Sequence, residues 1–265
     1  MNVHSVSLKG LREDNEDKHI VLINSDSKNK QLNSVNFFAI FDGHGGRRVS
    51  EYLYKNLPQF FLNKNVKYPL KREYVKTVYD NIQNNLKKAG IAKRCGSTAL
   101  IVINYKVNNE NFLNILNTGD CRAILCRNNI AIPLTKDHKP KWPEEKHRIT
   151  RLGGKITFDG YDYRIKDLSV SRAFGDIDTT PYVTHLPDIF KYKLEASDKF
   201  VILTCDGSLE TICDHEMVNF ILTNCYDSTL KKRINKNINI AEKLGEYAIK
   251  KGSTDNVTII VIFFD

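Results

Sequence analysis

Long apolar runs are absent from this chain. Stretches such as "TIIVIFF" (258–264) are strand length and too short to cross a bilayer, so no membrane association is expected. The N-terminus, "MNVHSVSLKG", lacks the apolar core of a signal peptide and a second-position glycine for myristoylation. Both absences point to a soluble intracellular protein, cytoplasmic, with the nucleus as the alternative. None of Cys95, Cys121, Cys126, Cys205, Cys213 and Cys225 forms a CxxC pair. Reduced, mostly buried thiols are the first expectation, and zinc or disulfide roles the alternative. There is no internal repeat and no Pro/Gly/Ser linker, and elements are spread evenly, which predicts one domain over residues 1–265 with no regulatory extension; a monomer is expected, though little in the sequence bears on oligomeric state.

Acidic residues are outnumbered: 31 Asp and Glu stand against 40 Lys and Arg, for a net charge of +9. The excess is concentrated. Residues 64–94 carry nine basic residues against Glu73 and Asp80, and residues 231–251 carry seven against Glu242 and Glu246. Both read as solvated helix faces; attraction for acidic or phosphorylated partners is the alternative. The basic stretches lack interleaved aromatic platforms, so no nucleic-acid partner is expected.

Period-two alternation and β-branched enrichment predict strands at 3–9, 19–25, 35–41, 98–106, 112–117, 121–127, 130–134, 155–158, 189–194, 199–205 and 256–264. Asn128-Asn129 sits between two of them as a two-residue hairpin turn. Leu70, Tyr74, Val78, Ile82 and Leu86 recur at helical spacing up to a stop at Gly90. A second helix starts at Pro143 and ends by Gly153, a third is capped by Asp214, and a fourth spans 238–250. A helix beginning near 46 should break at Pro58. Strands joined by short turns, with helices grouped between the runs, predict antiparallel sheets with helices packed outside.

In so basic a chain, tight acidic clusters are informative. "REDNED" (12–17) packs Glu13, Asp14, Glu16 and Asp17 between two strands. "FDGHGG" (41–46) and "LTCDGSLE" (203–210) share one pattern: an apolar strand, then Asp42 or Asp206, then glycine. "GSTDNVT" (252–258) places Asp255 just before the last strand. Each Asp-Gly alone is a common turn pair. Carboxylates gathered at buried strand ends repel one another unless a cation holds them, and oxygen donors without a His/Cys set favour Mg²⁺ or Mn²⁺ over zinc. Spacing alone leaves both readings open, plain turns or a carboxylate-built divalent site.

Eight motifs, "LREDNED", "FDGHGG", "GSTA", "NTGDCRAIL", "LTKDHKP", "LSVSRAFGD", "LTCDGSLE" and "GSTDNVT", run in order from about residue 5 to 264. In this the chain resembles the metal-dependent Ser/Thr protein phosphatases of the protein phosphatase 2C type. The resemblance implies an α+β fold, a four-layer αββα sandwich of two antiparallel β-sheets flanked by helices, with metals at one end between the sheets. It implies that Asp42 bridges two Mg²⁺ or Mn²⁺ ions, that the Gly43 carbonyl binds one, and that Asp206 and Asp255 hold the other. Glu16 and Asp17 would act through metal-bound waters, Arg12 would bind phosphate, and His44 would protonate the leaving Ser/Thr oxygen. Asp137 would help bind a third, weaker metal. The implied chemistry is hydrolysis of phosphoserine and phosphothreonine in proteins by a two-metal-activated hydroxide. Without the motifs, Arg12 would read as a surface residue pairing with Glu13 or Asp14, and His44 as a solvated turn histidine.

The family resemblance also casts Arg172 and Asp176 as structural links, and "GSTA" and Asp120 as packing and turn positions. Arg122 should pair with an acid that the sequence does not name. Two departures stand out. "DGSLE" has Leu209 and Glu210 where many members have Trp and Asp, which predicts a weakened or relocated third site with the two-metal core intact. The segment after Asp176, "IDTTPYVTHL", is shorter than in longer members, and the resemblance makes it a flap beside the active site. The competing readings are a pseudophosphatase acting as a binding scaffold, disfavoured because Asp42, Asp206 and Asp255 are all present, and a nucleic-acid-binding protein, which lacks a recognisable module.

Overall fold

The structure, a computed structural model, describes residues 1–23, 35–63 and 65–264. Positions 24 and 25 of the expected strand 19–25, and Lys64 of the basic stretch, lie outside the described residues. The strands are β1 (Asn2–Leu8), β2 (Lys18–Ile23), β3 (Asn36–Phe41), β4 (Gly43–His44), β5 (Gly96–Ser97), β6 (Ala99–Val107), β7 (Glu110–Thr118) and β8 (Arg122–Arg127). After them come β9 (Ile130–Pro133), β10 (Thr157–Phe158), β11 (Tyr163–Arg164), β12 (Phe174–Gly175), β13 (Asp188–Lys193), β14 (Asp198–Thr204) and β15 (Val257–Phe263). Two five-stranded antiparallel sheets form, ordered β1-β15-β14-β8-β9 and β13-β7-β6-β3-β2.

The layering follows from strands that are apolar on both faces. In β3, Phe38 and Ile40 join Leu100, Val102, Ile260 and Ile262 between the sheets. Phe37, Ala39 and Phe41 point the other way, into a core with Val49, Leu53, Val78 and Ile82. In β15, Ile259, Val261 and Phe263 likewise turn from the inter-sheet core to meet Ile221, Leu222 and Leu244. Because alternate side chains leave a strand on opposite faces, a continuous apolar run needs cover on both, and helices supply it. The layers are therefore α, β, β, α, as expected.

The helices are α1 (Arg48–Asn56), α2 (Pro58–Phe61), α3 (Arg72–Ala89), α4 (Pro143–Arg151), the single turn α5 (Asp206–Leu209), α6 (Asp214–Cys225) and α7 (Ile240–Lys250). The break at Pro58 is present, with proline at the first position of α2. Gly90 closes α3 in the left-handed region at φ 68°. Asn128 and Asn129 turn the β8–β9 hairpin with φ of 50° and 64°, the sign pattern of a type I′ turn. The N-cap expected of Asp214 is not observed. Cys213 occupies that position, and the Asp214 carboxylate accepts instead from Arg122 at 2.6 Å. All six cysteines are free; five are buried and Cys213 is exposed.

Within residues 143–184 a lobe forms around its own small core of Ile149, Ile165, Val170, Ala173 and Val183, while Phe174 leaves it to pack with β3 and α3. Buried Glu145 ties it down, accepting from Arg172 at 2.7 Å and from Arg148 at 2.8 Å. Burial works to raise the Glu145 pKa, but the bonds to both arginines outweigh it and lower the value from 4.5 to about 2. A carboxylate held down in the fold stabilises it fully above its unfolded value and loses that contribution as pH falls through the folded one. Glu145→Gln should therefore cost on the order of 3 kcal/mol at pH 7 and almost nothing near pH 2. Urea denaturation at pH 7 and across the acid limb measures this, and an equal loss at every pH would count against the charge argument.

Candidate metal centre

The end of β3 carries the first acid. Asp42 accepts the Thr98 amide on its carbonyl at 2.9 Å and donates its own amide to the Thr98 hydroxyl at 3.1 Å. This fixes the strand end beside β5, which pairs with β4 at Gly43–His44. Gly43 lies against the Glu16 carbonyl, 2.5 Å from where a Cβ would stand, so no side chain fits there. Gly96 serves the same purpose one strand over: a Cβ would overlap the contact of His44 with Asp176.

Two other strand ends meet Asp42. Asp206 follows β14 at the start of α5, and Asp120 lies in the β7–β8 turn after Gly119, whose φ is 112°. One carboxylate oxygen from each of Asp42, Asp120 and Asp206 lies within 4.8 Å of the others. Asp255 precedes β15 and accepts from Arg12 at 2.6 Å. Together with Glu16, His44 and Thr98 these residues line a cavity of about 530 Å³.

The electrostatics are those of a site short of positive charge. Asp42 has its pKa pushed well above the ordinary value by burial, then by Asp17, Asp206, Asp120 and Asp255. Asp206 rises to about 8, first through burial and next through Asp120, with Lys139 acting against both. Asp17, buried behind the cavity with Thr258 donating to it at 2.6 Å, rises to about 6 through burial, with Asp255 adding repulsion. Glu210 is raised by burial and Asp255. Lys139 is the internal counter-charge, donating to Asp120 and lying 3.8 Å from Asp206. The other Asp120 oxygen, Oδ1, is buried with no hydrogen-bond partner among the described residues. Half-buried Asp42 and Asp206 and buried Asp120, mutually repelling and with one orphaned oxygen, fit a hard divalent cation held by oxygen donors.

Residues 1–257 match the protein family described as Protein phosphatase 2C. The chain belongs to that family. Its members are metal-dependent protein serine/threonine phosphatases, and an acidic cluster that could hold a metal ion is present. Among similar proteins, the human integrin-linked kinase-associated serine/threonine phosphatase 2C is 35% identical over 96% of this chain and 70% of its own length. Protein phosphatase 2C 1 of Paramecium tetraurelia is 30% identical over 97% of this chain and 90% of its own length. A PP2C-like domain-containing protein of Acanthamoeba polyphaga mimivirus is 48% identical over 57% of this chain and 94% of its own length. The fold is that of a phosphatase from Toxoplasma gondii, with a TM-score of 0.78 at 22% identity, covering 98% of this chain and 92% of that one.

Of the residues singled out from the phosphatase 2C motifs, Arg12, Glu16, Asp42, Gly43, His44, Asp206 and Asp255 converge on the one cavity, with Asp17 directly behind it. Asp137 does not. Arg122 takes both its oxygens, at 3.0 and 2.6 Å, and also binds Asp214, so this carboxylate is spent on a salt bridge away from the cluster. Arg12 pairs with neither Glu13 nor Asp14, the alternative partners, but with Asp255. Residues 164 and 167–170 line the cavity, whereas none of 177–187, the segment expected as a flap beside the site, lines it. Two further acids belong to the site's surroundings, Asp120, expected as a packing and turn position, and Asp176, expected as a structural link around the site. Asp120 stands in the tight cluster, and its signal was available: "NTGD" ends an apolar strand in glycine and aspartate, the Asp42 pattern with the pair reversed. The Asp176 carboxylate accepts from His44 Nε2 at 2.7 Å, a contact no local pattern announces.

Proposed function

We propose that the protein hydrolyses phosphoserine and phosphothreonine in protein substrates at this cavity, with two Mg²⁺ or Mn²⁺ ions held by Asp42, Gly43, Asp206 and Asp255. Asp120 is added to that set because its carboxylate lies among those of Asp42 and Asp206. Glu16 and Asp17 support the set from the adjoining loop. When bound, such ions supply hydroxide near neutral pH and offset charge on the transferring phosphoryl group. The convergence of three carboxylates within 4.8 Å of one another, one with an orphaned buried oxygen, is the observation that carries this reading.

The chain's own groups do the rest. Arg12 stands at the cavity rim, its side chain 58% exposed, with one terminal nitrogen on Asp255. Its remaining donors are left for two phosphate oxygens in the planar fork a guanidinium offers. His44 is fixed by Asp176 and holds a proton for the departing Ser/Thr oxygen. Glu210 lies within electrostatic reach of Asp255 and, with Asp137 engaged elsewhere, leaves a third cation only a depleted donor set.

Phosphate release from a phosphothreonine peptide should be lost in EDTA and return on adding Mn²⁺ or Mg²⁺ in excess. Release that persists in chelator would sink the metal assignment. Tight peptide binding with no release under any metal would favour a scaffold.

A further inference from the structure

The lobe beside the active site carries a second concavity. Lys141, Trp142, Pro143, Lys146, Ile156 and Tyr163 line a groove of about 370 Å³. Trp142 is 46% exposed and Tyr163 42%, and on the same lobe Leu152, Phe158 and Tyr161 are 46%, 59% and 96% exposed. The rings of Phe158 and Tyr163 pack 5.1 Å apart, so the hairpin presents them as one surface. Single exposed apolar residues are ordinary, but several large ones gathered around a concavity mark a contact surface.

Charge and position indicate what the groove receives. The two charged residues lining it are both lysines, which complements an acidic partner, although Lys141 lies 3.8 Å from Asp162 and would have to share or exchange that contact. The wall is shared with the active site. In β11 neighbouring side chains leave on opposite faces, and Tyr163 lines the groove while Arg164 lines the catalytic cavity. The chain also runs from Lys139, at the acidic cluster, to Lys141 and Trp142 at the groove.

We propose that this groove is a substrate-docking subsite. It takes an aromatic or large aliphatic residue flanked by Asp or Glu, some residues away from the phosphorylated one in the same extended segment. The proposal rests on the phosphatase reading above and names the substrate features that reading leaves open. Trp142 supplies the flat apolar anchor, and Lys141 and Lys146 meet the flanking acids.

Trp142 is the single tryptophan of the chain, so its fluorescence reports on the groove directly. An unphosphorylated peptide with Phe between glutamates should shift its emission to the blue and saturate. Replacing Phe by Ala, or Glu by Lys, should weaken that binding about tenfold or more. In turnover, a phosphothreonine peptide with the Phe-Glu element about four to six residues away, at ~3.3 Å per residue, is the probe. Trp142→Ala should raise its KM about tenfold and leave kcat and aryl phosphate hydrolysis unchanged. The pair Lys141→Glu and Lys146→Glu, which keeps the tryptophan, should reverse the preference towards basic peptides. An emission unmoved by the Phe-Glu peptide, a KM unchanged in both variants, or a shift with phosphatidylserine vesicles but not with peptide would overturn the proposal. The titration needs no catalysis, so peptide binding by an inactive enzyme would refute the phosphatase reading and uphold the groove. Turnover with a silent Trp142 would do the reverse.

Discussion

Asp206→Asn is expected to lose at least about a hundredfold in metal-dependent phosphatase activity while melting at a higher temperature than the wild type in chelator. The activity loss follows from removing a charged donor from the cluster. The stability gain follows from the same charge. Burial, then Asp120, raises the Asp206 pKa from 3.8 to about 8. The fold therefore binds this proton more tightly than the unfolded chain does, and the ionised group costs stability above pH 4, fully so above about pH 8. Asparagine never ionises, so in EDTA at pH 7 the variant should gain on the order of 2 kcal/mol, or ~5 °C in Tm. This is about half of what the pKa shift converts to at that pH, because the Asp206 side chain is 31% exposed and screened by solvent. It should also show a smaller Tm rise on adding Mn²⁺ and a flatter dependence of stability on pH between 4 and 8. Thermal melts with and without Mn²⁺, beside phosphate release, measure both sides. A variant that is inactive but also less stable in EDTA would mean that Asp206 holds the fold together and does not strain it.

His44→Ala should slow release from a phosphothreonine peptide by about a hundredfold or more, and release from p-nitrophenyl phosphate by less than about tenfold. Serine and threonine oxygens leave as strongly basic alkoxides and need a proton, whereas an aryl oxide leaves without one. The position of the histidine supports the role. Burial would lower its pKa, but the 2.7 Å contact with buried Asp176, and that residue's charge, outweigh burial and raise it. That shift favours the protonated imidazole a general acid needs. Asp176→Asn should reproduce part of the selective loss, because it removes the charge that holds the proton without removing the imidazole. Steady-state kinetics on both substrates decide the matter: equal losses would assign His44 to binding or folding, not to proton donation.

The layers of the fold were legible because their cause is local. "NFFAIF" and "VTIIVIF" are apolar at successive positions, and such strands require cover on both faces wherever the chain goes. The helix from 72 to 89, its glycine stop and the Asn-Asn turn were legible for the same reason, since spacing and backbone preference act over a few residues. The motifs likewise located most of the cavity, because Asp42, Asp206 and Asp255 each sit where a strand begins or ends.

Side-chain partners were another matter. Asp137 and Asp120 are both acids in loops at strand ends; Gly119-Asp120 echoes the Asp42 pattern, but nothing within a few residues of Asp137 tells that its carboxylate is engaged by an arginine. Arg122 reaches Asp137 and Asp214 across the fold, which consumes the first, whereas Asp120 is delivered to Asp42 and Asp206 by the pairing of distant strands. Asp176 meets His44 because β12 and β4 flank β5, so two residues far apart in sequence close over Gly96. The sequence by itself determined the layers, the family and the strand-end acids, all of which rest on local pattern. Tertiary structure alone decided which carboxylates share a cavity and which are neutralised by arginine, because a charge is assigned by its nearest partner in space, and that partner lies tens to hundreds of residues away.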